Sequence, residues 1–404
     1  MISKRTMAVV LIIAVILTGV STFTLGNVLQ VSAGDKVVIT KKEYQELTGI
    51  RSQFADALAL KQIVQKDFYK DTTNVDFGTE FKRSVFQALG DPYSVYFSKK
   101  EFQSFQEMNA GTYGGIGVIV APGEDGRITV VSPIENTPGE RAGLKPGDQI
   151  LKVDGKDVSG DKIDEAVSKM KGVPGTAVTL TIQKKGASIV DVKLTREQIV
   201  IKSARSEELG NGMGYLKLNS FDDKSAAEFK TNLDGLMAKN IKGLIIDLRN
   251  NPGGNLDQCV KIADLLLGEQ TIVVTKDRAG HQDVEKSDAN KINIPYVLLV
   301  NEGSASASEI LTGAVKDTKS GVVIGTKTFG KGIVQEVDGL PDGSGYKLTV
   351  AQYFTPNGSY IHGKGIQPDI TIEMPKALKE KLDLKHSEDP QFLKAEEVLK
   401  SEMK

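Results

Sequence analysis

The stretch Gly303-Ser304-Ala305-Ser306-Ala307-Ser308-Glu309 leads out of an apolar run into a helical pattern, and Phe329-Gly330-Lys331-Gly332 and Gln335 follow downstream. A serine hydroxyl attacks an acyl carbon once a base takes its proton. The chain has three histidines, His281, His362 and His386, none near these serines in sequence. A hydrolase built here would therefore use lysine as its base. A hydroxyl at a helix start lies near unpaired backbone N–H groups and the positive end of the helix dipole. Such groups stabilise a developing oxyanion, and losing one donor costs about 3–4 kcal/mol. On spacing alone Ser306 also reads as an ordinary N-cap, and Ser304 and Ser308 compete for the role.

Lysine is a base only when neutral, so its pKa must fall from about 10.4 towards 7 by burial among apolar groups. Phe329, Ile333 and Val334 are the neighbours able to dry Lys331. On an extended segment, residues 331, 333 and 335 project to one face. That places the Gln335 carboxamide beside the Lys331 amine, which it can orient without adding charge. A solvated loop lysine fits the same letters. A third element, Arg249-Asn250-Asn251-Pro252-Gly253-Gly254, follows the apolar run 243–248. Such a turn offers glycine N–H groups at the carboxyl edge of a sheet, where α/β sites form, though a plain strand-to-helix loop looks alike.

The elements that must hold these residues follow from periodicity. Leu47, Ile50, Phe54, Leu58, Ile63 and Phe68 predict one apolar helical stripe over 41–70. Further helices are expected at 77–89, stopped by Gly90-Asp91-Pro92, and at 100–108. Short strands at 116–120, 128–131, 149–153, 178–183 and 190–194, with a helix at 161–171, form a middle unit. Beyond 214, buried strands at 243–248, 296–300 and 322–325 alternate with helices at 256–267 and 306–316, the pattern of βαβ crossovers. Residues 346–354, the Pro356-Asn357-Gly358 turn and 359–362 read as a hairpin, and 389–403 as a charged helix.

Lys plus Arg number 51 and Asp plus Glu 52, a net charge of −1. No basic excess points to nucleic acid as a partner. Cys259, the sole cysteine, permits no intrachain disulfide and reads as a small core residue. The scattered histidines give no metal set, and no cofactor is called for. Lys4 and Arg5 precede an apolar run over 7–25, and about 20 such residues span a bilayer. The basic flank keeps the N-terminus in the cytoplasm and sends the rest outside. The length of the run favours an uncleaved anchor, so the expected location is the cell membrane, single-pass, with the catalytic region extracytoplasmic. A cleaved signal ending near Val31-Ser32-Ala33 would make the protein secreted.

Taken together and in this order, these motifs resemble the C-terminal processing peptidases, also called tail-specific serine proteases. The matching residues are Asp91-Pro92-Tyr93-Ser94, Gly214-Tyr215-Leu216, 247–254, 304–310, 325–335 and Gly365-Ile366-Gln367-Pro368-Asp369. The resemblance covers about residues 40–400. It implies an α/β fold with a crotonase-like βαβ protease core, an inserted PDZ domain and helical N- and C-terminal regions. The implied divisions are 1–34 (anchor or signal), 35–109 (helical), 110–199 (PDZ), 200–376 (protease core) and 377–404 (helical tail). It implies Ser306 as nucleophile, Lys331 as general base, Gln335 as the residue orienting the lysine, and oxyanion donors at Gly253 and Ala307. The family's serine-to-lysine spacing selects Ser306 over its neighbours. Tyr113-Gly114-Gly115-Ile116-Gly117-Val118 resembles a PDZ carboxylate loop, so Gly115, Ile116, Gly117 and Val118 would bind the C-terminal tail of a protein substrate by strand addition. Some members carry an arginine at a PDZ helix end that couples it to the active site. This chain has Lys171 there, which cannot make the same bidentate contact. The resemblance also suggests a homodimer: family members can pair through their terminal helical regions, and residues 41–70 and 389–403 fit that role.

Overall fold

The computed structural model describes residues 39–403 apart from 124, 185–188 and 380–383, together with Met7, 11–15 and Thr18. The expected anchor lies mostly outside the described residues, and no helix among them is long and apolar enough to cross a membrane. The chain divides into residues 1–81 and 82–404. In the first unit α1 (Lys41–Asp67) is opened by Thr40, whose hydroxyl accepts from the Glu43 N–H while the Glu43 carboxylate accepts from the Thr40 N–H. This reciprocal capping box satisfies two donors at the helix start. Leu47, Ile50, Phe54, Leu58, Ile63 and Phe68, the predicted apolar stripe, are all exposed. Helix α2 (Phe77–Gln87) leads into the second unit.

The second unit opens with β1 (Val95–Phe97) and α3 (Lys99–Asn109). A PDZ-like body follows, comprising β2 (Thr112–Gly115), β3 (Val118–Pro122), β4 (Ile128–Pro133), α4 (Pro138–Arg141), β5 (Gln149–Val153), β6 (Lys156–Asp157), α5 (Ile163–Met170), β7 (Ala177–Gln183), β8 (Ile189–Thr195) and β9 (Glu197–Val200). Its sheet runs β3-β4-β5-β7-β8, and Ile128, Ile150, Val153, Leu180 and Ile182 fill its core. Strands β2 and β9, where the chain enters and leaves this body, pair with each other as a neck.

The larger core comprises β10 (Ala204–Gly210), β11 (Met213–Leu218), α6 (Ser225–Met237), β12 (Gly243–Asp247), α7 (Leu256–Leu267), β13 (Thr271–Asp277), β14 (Gln282–Lys286), β15 (Tyr296–Val300), α8 (Ala307–Thr318), β16 (Val322–Gly325), β17 (Ile333–Gly339), β18 (Gly345–Phe354) and β19 (Ile370–Thr371). The main sheet runs β10-β11-β12-β15-β16-β19 and is parallel except at β10. The continuous apolar runs are explained by burial on both faces. Leu244, Ile246, Leu298 and Val300 enter the core under α6, α7 and α8, whereas Ile245, Val297 and Leu299 meet Phe392, Ala395 and Leu399. Those last three belong to α10 (Pro390–Glu402), which follows the short α9 (Lys376–Lys379). The expected hairpin is corrected: residues 354 and 360 share a single bridge, and β18 pairs instead with β17, β13 and β1 in an antiparallel sheet. The Leu340–Ser344 turn, closed by the Leu340 N–H on the Ser344 carbonyl, makes the real hairpin.

A buried charge network ties α10 to the end of β12. Asp247 is fully buried, accepts from Arg249 and from the Tyr215 hydroxyl (2.8 Å), and has Lys217 Nζ at 3.6 Å. Arg249 Nη1 also donates to Asp389 (2.6 Å) and Gln391 Oε1 (3.0 Å). Burial pushes the Asp247 carboxyl up, but Arg249 and Lys217 outweigh it and hold it at about 2. A depressed acid contributes stability that is present above its ordinary 3.8 and lost as pH falls towards 2. Asp389 additionally caps α10, its Oδ1 accepting from the Gln391 and Phe392 N–H groups. Asp389→Ala removes both the charge-assisted bond and the cap, with an expected loss of about 2–3 kcal/mol, measured as a lower urea midpoint.

Candidate active site

Strands β12 and β15 lie side by side, with Ile245 opposite Val297, so the loops leaving their carboxyl ends meet. Asn251 joins the two loops. Its carboxamide donates to the Leu218 carbonyl (2.9 Å) and accepts from the Gly253 N–H (2.9 Å), while its own carbonyl accepts from the Ala305 N–H (3.1 Å) and the Ser308 hydroxyl (2.9 Å). Ser304, fully buried, donates to the Leu248 carbonyl (2.8 Å) and accepts from the Asn301 N–H (3.0 Å). Ser304 and Ser308 thus act as loop fasteners, and Ser306 alone of the three is only half-buried. It stands at the N-cap of α8 with φ 55° and ψ −117°, a conformation that costs about 1–3 kcal/mol in a non-glycine residue and concentrates at functional sites.

Glu309, one turn into α8, is fully buried. Four donors converge on its carboxylate: the N–H groups of Ser306 (3.0 Å), Gly330 (2.7 Å) and Lys331 (2.7 Å) and the Thr328 hydroxyl (2.6 Å). The Tyr353 hydroxyl sits between the carbonyls of Ser306 (3.1 Å) and Lys331. Burial raises its pKa well above the ordinary value, so it stays a donor. The Ser306 turn and the Lys331 loop are therefore fastened together twice. Sequence reasoning assigned neither residue a role. The Ser-x-x-Glu spacing of 306 and 309 is a capping-box signal that could have found Glu309, while nothing local marks Tyr353.

Lys331 Nζ donates to Gln335 Oε1 at 2.7 Å, and Gln335 Nε2 donates to the Tyr93 carbonyl. The expected simple alternation is interrupted, because a bulge falls between Val334 and Gln335. Burial and the nearby Lys347 lower the Lys331 amine from 10.5 to about 8, against the opposing pull of Asp91 and Glu309. The walls differ from those expected: Ile333 is buried, but Phe329 is 55% exposed. The Tyr93 ring, 5.0 Å from Nζ, provides a wall that sequence reasoning did not name. No hydrogen bond joins Lys331 Nζ to Ser306 Oγ among the described residues.

Gly253 packs against the serine. With φ +95°, a Cβ there would lie 2.6 Å from the Ala305 carbonyl oxygen and 2.8 Å from both the Ala307 nitrogen and Ser306 Cβ. Among the described residues the Ala307 N–H has no protein acceptor, whereas the following N–H groups bond to Ala305 and Ser306 carbonyls. Cys259 lies beneath α8, donates to the Ala307 carbonyl at 3.1 Å, and burial pushes its thiol up, as suits a core residue. His362 meets Tyr93 edge-on and lies near the Gly332 N–H.

In the PDZ-like body the Ile116 carbonyl accepts from the Gly139 N–H (2.7 Å) and the Gly117 carbonyl from the Ile134 N–H (2.8 Å) and the Thr137 hydroxyl (3.0 Å). A Cβ at Gly117, with φ +69°, would come within 2.3 Å of Thr137. Gly115 ends β2, and Val118 begins β3, which pairs with β4 alone among the described strands. Lys171 Nζ rests over the Tyr113 ring at 4.8 Å. The end of α5 is capped instead by buried Arg196, which donates to the carbonyls of Met170 (3.1 Å), Lys169 (2.7 Å) and Ala177 (2.8 Å).

The profile of peptidase family S41 matches residues 212–372 and that of the PDZ domain residues 129–184. The carboxy-terminal processing protease CtpA of Bacillus subtilis (strain 168) is 35% identical over 373 residues, covering 92% of this chain and 78% of that protein. A probable CtpA-like serine protease of Staphylococcus saprophyticus is 39% identical over 318 residues, covering 78% of this chain and 64% of its own length. The solved structure of a photosystem II D1 C-terminal processing protease superposes with a TM-score of 0.50 at 27% identity, over 91% of this chain and 98% of that one. With a serine at a strained strand-to-helix turn and a PDZ domain inserted ahead of the core, this chain belongs to the S41 peptidases, as a serine-type carboxy-terminal processing protease.

Proposed function

We propose that Ser306 attacks the scissile carbonyl, Lys331 takes its proton and Gln335 orients the lysine, on protein substrates captured by their C-terminal tails. The observation that carries this reading is that one buried carboxylate, Glu309, holds the backbone N–H groups of both Ser306 and Lys331. Nucleophile and base are thereby mounted on a common support. Ser306 Oγ bonds to the carbonyl carbon while its proton passes to a neutral Lys331 Nζ. The C–N bond then breaks, the lysine returns that proton to the leaving amine, and water hydrolyses the acyl-enzyme with the same lysine as base. The Ala307 N–H supports the oxyanion. The Gly253 N–H donates to Asn251 and joins only if that bond is exchanged. Lys331 must turn towards Ser306 as substrate binds, and catalytic hydrogen bonds commonly tighten only in the complex.

The sign of the pH dependence follows. The base works when neutral, and its pKa is about 8, so kcat/KM is expected to rise with pH to a plateau above 8 and to fall about tenfold per unit below it. A profile that falls on going alkaline through 8 would overturn the assignment. Glu309→Gln turns an NH2 group onto donors, with an expected kcat loss of about 10²-fold and about 2 kcal/mol of stability. Steady-state kinetics and thermal melts check both.

In the PDZ domain the inward carbonyls of Ile116 and Gly117 favour N–H groups facing a terminal carboxylate, with the tail adding as a strand on the open edge of β3 across Gly115 to Val118. The core is read as crotonase-like. Lys4, Arg5 and the apolar run 7–25 support a membrane-anchored, extracytoplasmic enzyme, and protease added outside intact cells should degrade it. The exposed stripe on α1 supports pairing of two chains, which light scattering tests as a doubled mass.

A further inference from the structure

The turn Asp91-Pro92-Tyr93-Ser94 forms part of the lysine site, and it is closed by one side chain. Asp91 Oδ1 accepts from the Tyr93 N–H (3.0 Å), and Oδ2 accepts from the hydroxyls of Ser94 (2.6 Å) and Thr349 (2.6 Å). Ser94 Oγ, buried, accepts in turn from the Thr349 N–H (3.0 Å). Thr349 is the cross-strand partner of Gln335. The turn is thus riveted to β18 directly opposite the residue that touches the lysine. Burial raises the Asp91 pKa, but these donors outweigh it, so the group stays below the usual carboxylate range.

A carboxamide offers an oxygen on one side and an NH2 on the other, and its neighbours select which faces where. The Tyr93 carbonyl can only accept, so it takes Gln335 Nε2. That leaves Oε1 for the Lys331 amine, at 2.7 Å. With one N–H engaged there, the lone pair of a neutral amine is free to point elsewhere. If the carbonyl moved, the carboxamide could flip and set NH2 against the amine.

We propose that Asp91 is a positioning residue for the peptidase reaction, fixing the Tyr93 carbonyl, through it the Gln335 carboxamide, and so the direction of the Lys331 amine. The proposal rests on the reading of Lys331 as base. The charged and titratable groups around the amine are Asp91 itself, Lys347 from β18, Glu309 from α8 and, beside Asp91, His362.

The test is cleavage of fluorescently labelled β-casein by the full chain carrying Asp91→Ala, Asp91→Asn or Lys331→Ala. Asp91→Ala should lower kcat by about ten- to a hundredfold, as misplacement of a reacting group does, with KM changed by less than about twofold. Asp91→Asn keeps an acceptor for the Tyr93 N–H, so it should restore most of kcat. It also removes a negative charge that favours the ammonium form, so the acid limb should move to lower pH. A merely structural role would unfold the enzyme or raise KM rather than lower kcat alone. Parental kcat or a change in KM alone in a folded Asp91→Ala overturns the proposal. Should Asp91→Ala fail to fold by circular dichroism, Thr349→Val, which removes one donor from the Asp91 carboxylate, takes its place with the same two outcomes. Activity retained in Lys331→Ala sinks the base assignment, whereas an inactive Lys331→Ala beside a parental Asp91→Ala sinks only the role of Asp91.

Discussion

Lys331→Met should lose about 10⁴–10⁶-fold in kcat, the scale seen when a nucleophile or its base is removed, without unfolding the protein. Methionine keeps the length and apolar stem of lysine and carries no charge. The amine it replaces sits in a site whose dryness pushes it down to about 8, and that environment opposes a charge. Removing the charge therefore relieves a cost in the folded state, so the melting temperature should stay level or rise. Loss of activity with preserved stability separates a chemical role from a structural one. The variant's residual rate should also lose the acid limb near pH 8. If Lys331→Met cleaves within about tenfold of the parent, below the range typical for general bases, the proton goes elsewhere.

The second large effect is expected at Gly253, where an added methyl meets two obstacles. Its φ of +95° is unfavourable for any side chain, and the methyl carbon would lie 2.8 Å from the Ala307 nitrogen and 2.6 Å from the Ala305 carbonyl oxygen. The Ala307 N–H is the first-turn donor that the protein leaves unused among the described residues, so the methyl would occupy the space an oxyanion needs. Gly253→Ala should lower kcat by about 10²–10³-fold, the effect of losing one oxyanion donor, while KM changes little because remote binding is untouched. Backbone strain should cost a further 1–3 kcal/mol or so of stability. Parental kcat in a folded Gly253→Ala would remove the Ala307 N–H from the mechanism.

What could be read beforehand and what could not follows a physical line. Gly243–Asp247 and Tyr296–Val300 were visible because burial on both faces writes a continuous apolar run. Leu256–Leu267 was visible through its helical period. The β17–β18 pairing was missed although Pro341-Asp342-Gly343 is a turn signal, because β17 reads Ile-Val-Gln-Glu-Val-Asp-Gly, half polar and largely exposed, and does not stand out as a strand. At the site, the serine turn, the lysine and the glycine loop carried local signals. Which serine is reachable did not, because Ser304 and Ser308 are silenced by carbonyls from the loop after β12. Tyr93 lies far from Gln335 in sequence, and only the fold brings its carbonyl to the carboxamide. Phe329 shows the converse: an apolar neighbour in sequence that faces solvent.

The central claim is that Ser306 is the nucleophile and Lys331 its base, and covalent labelling tests it most directly. The full chain and Lys331→Met would each be mixed with a fluorophosphonate, and the modified residue and its rate of formation followed by peptide mass spectrometry from pH 6 to pH 10. The account predicts a single adduct on Ser306, none on Ser304 or Ser308, a rate that climbs to a plateau above about 8, and loss of that climb in Lys331→Met. An adduct on another residue, or a rate on Ser306 that is the same with and without Lys331, would contradict it.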